Sequence, residues 1–208
     1  MKERPIIFNS DMVRAILDGR KTQTRRIVKP QPTVEIKYRE YLAVVDGKKI
    51  KCPYGAPGDR LWVREAFCVV DDREFSGDVD EAPEGAVWVD YRATPRYAPP
   101  DVAYPAGWEN DPIDAEHLTW RPSIHMPRWA SRITLEITNV RVERLQEISE
   151  EDCLAEGMRP FDPTSKLDQV FSDLTPQDKF SALWDSINGK RAPWESNPWC
   201  WVTEFKKV

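Results

Sequence analysis

The chain has 208 residues, is 40% hydrophobic and 31% charged, and carries a formal net charge of −5 with only two histidines. Nine Trp, seven Phe and six Tyr supply too much aromatic surface for a disordered chain, and the length is enough to bury a core without staples. No stretch approaches the roughly eighteen apolar residues of a membrane span, and Met1-Lys2-Glu3-Arg4-Pro5 leads into an apolar run too short for a signal peptide. Four cysteines, Cys52, Cys68, Cys153 and Cys200, are scattered with no C-x-x-C pair and read as reduced thiols. The expectation is a soluble, cytoplasmic protein.

The net charge conceals a segregation. Residues 1–64 carry +8, residues 65–118 carry −11 and residues 119–208 carry −2. Binding of a polyanion depends on such local patches and not on the total.

Pro5 to Phe8 predicts a short buried strand. Ser10 is placed to cap the following helix, whose Met12, Val13, Ile16 and Leu17 recur at helical spacing, and Gly19 falls where a left-handed residue closes it. Thr22 to Val28 is β-branched but densely basic, which predicts an edge strand or extended loop ended by Pro30 and Pro32. A hairpin is expected from Val34–Val45 and Lys48–Ile50 around Asp46-Gly47. Pro57-Gly58-Asp59 signals a turn before a strand from Arg60 to Phe67.

Residues 68–118 hold six prolines and most of the acidic excess, with one clear strand, Val87 to Tyr91. They read as an insertion packed by its aromatics. Ser131 to Glu143 predicts a long strand whose phase shifts at Asn139, the mark of a bulge. Ser149-Glu150-Glu151-Asp152 opens a short helix ending near Gly157. Thr175, Pro176 and Asp178 open another, with Phe180, Leu183, Trp184 and Ile187 as its apolar face. Trp199 to Phe205 closes the chain as a strand. Several strands with few short helices predict a mainly β, α+β fold built on a curled sheet or small barrel.

Phosphate-binding G-x-x-x-x-G-K, G-x-G-x-x-G and G-x-S-x-G are all absent. His117 and His125 stand eight apart with no cysteine at ligand spacing, so neither a metal nor a cofactor is expected. Two stretches carry candidate chemistry. In Gly19-Arg20-Lys21-Thr22-Gln23-Thr24-Arg25-Arg26, cations crowd a helix end, answered locally only by Asp18. They suit a phosphate or polynucleotide backbone, or equally the dipole of the preceding helix. In Trp120-Arg121-Pro122-Ser123-Ile124-His125-Met126-Pro127-Arg128-Trp129, two prolines fix an irregular backbone around arginines and tryptophans. That mixture suits base stacking, although core positions are the expectation for both tryptophans. Glu156 before Gly157 is by itself an ordinary helix terminus.

Together these motifs are recognisable. The strand–helix–Gly-Arg-Lys-Thr-Gln-Thr-Arg opening, then Pro57-Gly58-Asp59-Arg60-Leu61-Trp62-Val63-Arg64-Glu65, resembles the ASCH family of the PUA-like superfamily. The long strand before Ser149 to Met158 continues the likeness. Pro122-Ser123-Ile124-His125-Met126-Pro127 and the closing Trp-Val-Thr-Glu-Phe-Lys-Lys-Val resemble the longer ASCH proteins of bacteriophages and prophages. The likeness covers residues 4–67, 119–160 and the C-terminal region.

The resemblance implies one PUA-like domain over 1–208, a small β-barrel with a helix beside a cleft and an acidic insertion at about 68–118. It also implies RNA or a modified nucleoside as partner. Some small bacterial members remove the acetyl group from N4-acetylcytidine with a Lys, a Thr and a Glu. By that likeness the catalytic set falls on Lys21, Thr24 and Glu156, with Arg20, Arg25, Arg26, Arg64, His125 and Arg128 as substrate or nucleic-acid contacts. Other members bind or cleave RNA, so a non-catalytic RNA-binding module and a metal-independent ribonuclease are the alternatives.

Overall fold

The structure, a computed structural model, describes residues 1–32, 42–45, 48–71, 87–94, 120–159 and 174–208. Strands dominate. They are β1 (Glu3–Ile7), β2 (Gln23–Ile27), β3 (Leu42–Val45), β4 (Lys48–Lys51), β5 (Arg60–Arg64), β6 (Phe67–Asp71), β7 (Val87–Tyr91), β8 (Thr134–Arg144) and β9 (Trp199–Lys207). The helices are α1 (Ser10–Leu17), α2 (Glu150–Ala155) and α3 (Pro176–Asn188). The fold is α+β and mainly β.

Five strands form one sheet in the order β1-β5-β8-β9-β2, and β3-β4 and β6-β7 form two-stranded sheets. Among the described residues the large sheet has two ends, so no closed barrel is present in these strands. No helix among them is long and apolar enough to cross a membrane. The chain divides into two compact units: Met1–Arg4 with Ala15–Leu61 and Ile133–Val208, and Pro5–Arg14 with Trp62–Arg132.

The first unit is organised by β9, which pairs antiparallel with β2 on one side and β8 on the other. Trp199 to Thr203 are all buried, as befits a central strand covered on both faces. The expected bulge is present: the β8–β9 register shifts between Ile137 and Asn139. Ser149 caps α2 by accepting from the Asp152 amide at 3.1 Å. Thr175 and Asp178 form a capping box on α3, with Pro176 in the first turn. Phe180 and Trp184 of α3 pack with Leu145, Ile148, Cys153 and Cys200. Ile187, expected on that face, is 49% exposed and lies outside that cluster. Burial pushes the Cys153 and Cys200 thiols up to about 11 and about 12, so these are inert core groups.

The second unit is centred on Phe67, Tyr91, Met126 and Ala130. The single strand expected over Arg60–Phe67 is two strands, β5 and β6, interrupted at Glu65-Ala66 where Glu65 turns inward to Arg132. Asn9, and not Ser10, caps α1, since its Oδ1 accepts from the Met12 amide at 2.9 Å. The predicted strand at Val87–Tyr91 is β7 and pairs with β6. The hairpin prediction is met over β3 and β4. Its residues 34–41 and 46–47, and residues 72–86 and 95–118 of the expected insertion, lie outside the described residues.

Truncating Trp184 to Ala removes a fully packed indole and is expected to cost about 3–5 kcal/mol. Ile187→Ala, at a half-exposed position, is expected to stay within about 0.5 kcal/mol. Urea unfolding of the two variants measures the contrast.

Candidate functional site

The site is built where β2 leaves α1. Gly19, at φ 75°, lets the chain reverse after the helix, and the Lys21 amide then donates to the Ala15 carbonyl at 2.9 Å. Lys21 bridges antiparallel to Glu156, and the Thr22 amide donates to Ala155 at 2.8 Å. The end of α2 is thereby fastened to the free edge of β2.

Side chains complete the junction. Lys21 Nζ donates to Glu156 Oε2 at 2.7 Å and to the Glu156 carbonyl at 2.8 Å. The two side chains are 0% and 5% exposed. Burial drives the Lys21 pKa below the ordinary lysine value; Glu156 opposes that shift, and the nearby charges of Arg26 and Arg25 add to it. Gly157 follows at φ 97°, and a Cβ there would lie 3.0 Å from Ala15 Cβ and 3.1 Å from Lys21 Cβ. Only glycine fits both the left-handed backbone and the close approach of the lysine stem.

Arg25 is the neighbouring hub. Its Nη2 donates to Asp152 at 2.7 Å and Glu143 at 3.0 Å, while its Nη1 stands 3.5 Å from Glu156 Oε1. Neither Arg25 Nη1 nor Glu156 Oε1 has a hydrogen-bond partner among the described residues. Arg141, from β8, donates to Asp152 at 3.0 Å and Gln23 at 3.2 Å, and also to Glu143 and Glu204. Burial pushes the Asp152 carboxyl up, but Arg25 and Arg141 outweigh it and hold it below the usual range. The basic segment is therefore answered by Glu143 of β8, Asp152 of α2 and Glu156 at the end of α2, and not by Asp18 alone. Asp18 pairs with Arg20 at 2.9 Å, and Arg20 Nη1 donates to the Gly157 carbonyl at 2.9 Å.

Thr24 is buried and lies opposite Thr203 in the β2–β9 ladder. The pleat alternates Gln23 and Arg25 on one face with Thr24 and Arg26 on the other. Thr24 thus sits across the strand from the Arg25 carboxylate cluster. Arg26 is opposite Trp201, and both line a cleft of about 400 Å³ along the β2 edge. Arg25, Lys29, Lys51, Arg191, Tyr54 and Trp184 also line it, with no Asp or Glu among the described lining residues. The other three expected contacts belong to the second unit. Arg64 donates to the Ile124 carbonyl, its guanidinium and that of Arg128 lie 5.5 and 6.0 Å from the Trp62 ring, and His125 is exposed. No group of His, Cys, Asp and Glu among the described residues is arranged to hold a metal.

No protein-family model, curated protein or solved structure matches this chain. The site must therefore be read on its own geometry.

Sequence reasoning joined Lys21 to Glu156, 135 positions apart, but missed Arg141, Glu143 and Asp152. The available signal was the alternation of β8, which puts Arg141 and Glu143 on one face, with Asp152 in the first turn of a capped helix. Lys51 and Arg191 at the cleft were also missed, since nothing local links them to β2.

Removing one partner of a buried pair leaves an uncompensated charge, at about 3–5 kcal/mol. Glu156→Gln is expected to cost that much, because it leaves both Lys21 and Arg25 facing a neutral amide. Lys21→Met is expected to cost less, since Arg25 still faces Glu156. Equal losses in urea unfolding would contradict this asymmetry.

Proposed function

We propose that the protein acts on RNA or a modified nucleoside, hydrolysing the N4-acyl amide of cytidine with Lys21, Thr24 and Glu156. Membership of the ASCH family, the PUA-like barrel with its helix beside the cleft and a cytoplasmic setting belong to the same reading. One observation carries it. The Lys and the Glu that the resemblance selects, 135 positions apart, form a buried ion pair whose neighbour Arg25 lines a cationic cleft.

In the proposed reaction the Thr24 hydroxyl attacks the acyl carbon and passes its proton, through one bridging water because the pleat sets Thr24 across the strand from the Arg25 cluster, to the deprotonated form of Lys21, which burial favours and the Glu156 ion pair opposes. The C–N4 bond breaks as that proton moves, by way of Glu156, to the departing amine. Glu156 Oε1, buried without a hydrogen bond among the described residues, is the acceptor available to orient the N4–H. Water then hydrolyses the Thr24 ester, releasing the carboxylic acid and restoring the hydroxyl. The cleft cations Arg26, Lys29 and Arg191 suit the nucleoside's phosphates when the substrate is a polymer.

The same cationic lining favours a second reading, a non-catalytic RNA-binding module. Incubation with N4-acetylcytidine and with unmodified RNA separates the two. Hydrolysis predicts cytidine and acetate, with kcat/KM falling about 10²–10⁴-fold in Lys21→Met. Retained turnover in that variant sinks the proposed mechanism. Salt-dependent binding without turnover supports the module, and RNA fragments without added metal would indicate a ribonuclease. Because the base must be neutral, kcat/KM is expected to rise with pH and level off below the ordinary lysine value of 10.5.

A further inference from the structure

In the second unit, residues 120–132 contain three arginines and no Asp or Glu. Pro122 and Pro127 hold the backbone extended before two short 3-10 turns, Ser123–His125 and Arg128–Ala130. The inward side is fixed. Met126 and Ala130 are each 1% exposed, Tyr91 Oη donates to the Ala130 carbonyl at 2.9 Å, and the Arg121 amide donates to Phe67 at 2.7 Å.

The outward side is different. Trp129, expected in the core, is 65% exposed, and Ile124 is 58% exposed. Arg121, His125 and Arg128 are also exposed. Leaving an indole in water forfeits the burial that a tryptophan would gain in a core, and here a braced backbone holds it outward. Within residues 120–132 every formally charged side chain is a cation, and Arg132 is paired with Glu65. An exposed aromatic ring held beside arginines matches a partner that offers flat π-surfaces joined by negative charges.

We propose that Trp129, with Arg121 and Arg128, is a stacking platform for single-stranded polynucleotide. A base stacks on the Trp129 ring while adjacent phosphates meet the two guanidinium groups. Protein partners also favour Trp and Arg, but charge of a single sign along the whole segment favours a polyanion. The inference does not rest on the hydrolase reading, since binding is measured without turnover.

The test is fluorescence anisotropy of a labelled oligouridylate with the full-length protein, across a salt titration. Trp129→Ala, a surface change, is expected to weaken binding about 5- to 100-fold, with Trp129→Phe retaining most of the affinity. Arg128→Ala is expected to reduce the magnitude of the log–log salt slope by about 0.7. The proposal is overturned if the wild-type chain does not bind, if Trp129→Ala binds like wild type, or if a duplex of equal length competes as well as the single strand.

Discussion

Burying a lysine ammonium is the constraint from which the first unit follows. Removing two ions from water costs several kcal/mol each even after relaxation, and at 0% exposure Lys21 is compensated by Glu156, which meets it at 2.7 Å. That requirement fixes the neighbouring chain. Gly157 must lack a Cβ, α2 must end against the β2 edge, and Lys21 must leave α1 through a left-handed glycine. Ser149 at the other end of α2 then sets where Asp152 stands. One ion pair thus aligns α1, α2 and β2, and it joins two of the three groups that the proposed chemistry needs.

Charge segregation takes a different meaning in three dimensions. The +8 of residues 1–64 is not an open field of cations. Arg25, whose side chain is 1% exposed, lies among Glu143, Asp152 and Glu156, and its role is to position them. Arg141 supplies a second cation to the same carboxylates. Toward the cleft the basic segment presents Arg25, Arg26 and Lys29, joined by Lys51 and Arg191. The electrostatic division is between a neutralised interior that tunes Lys21 and a cationic rim suited to an anion. Attraction at the rim is screened by salt, whereas the buried pair is screened far less.

Features set by local chemistry were legible in the sequence. The bulge at Asn139 shows as a slip in a period-two pattern, Ser149 and Thr175 show as caps, and the basic β2 reads as an edge. Non-local features were not. Nothing near Arg25 announces that Glu143 and Asp152 will converge on it, because that depends on β8 and α2 reaching the same side of β9. Trp129 was misread for a related reason. Composition makes tryptophan a core residue by default, and only the bracing of the Pro127 turn by Met126, Ala130 and Tyr91 turns the ring outward. Ile187 kept its helical spacing but lay one turn beyond the cluster that Phe180 and Trp184 fill.

The central claim is that Lys21 is a desolvated amine whose proton is shared out between burial and Glu156. The direct measurement is an NMR pH titration of the lysine side chains, with Lys21 assigned by the signal lost in Lys21→Arg. Lys21 is predicted to lose its proton below the ordinary value of 10.5, and to do so at still lower pH in Glu156→Gln, where the opposing carboxylate is gone. A Lys21 signal that titrates together with the exposed lysines and does not respond to Glu156→Gln would contradict the account.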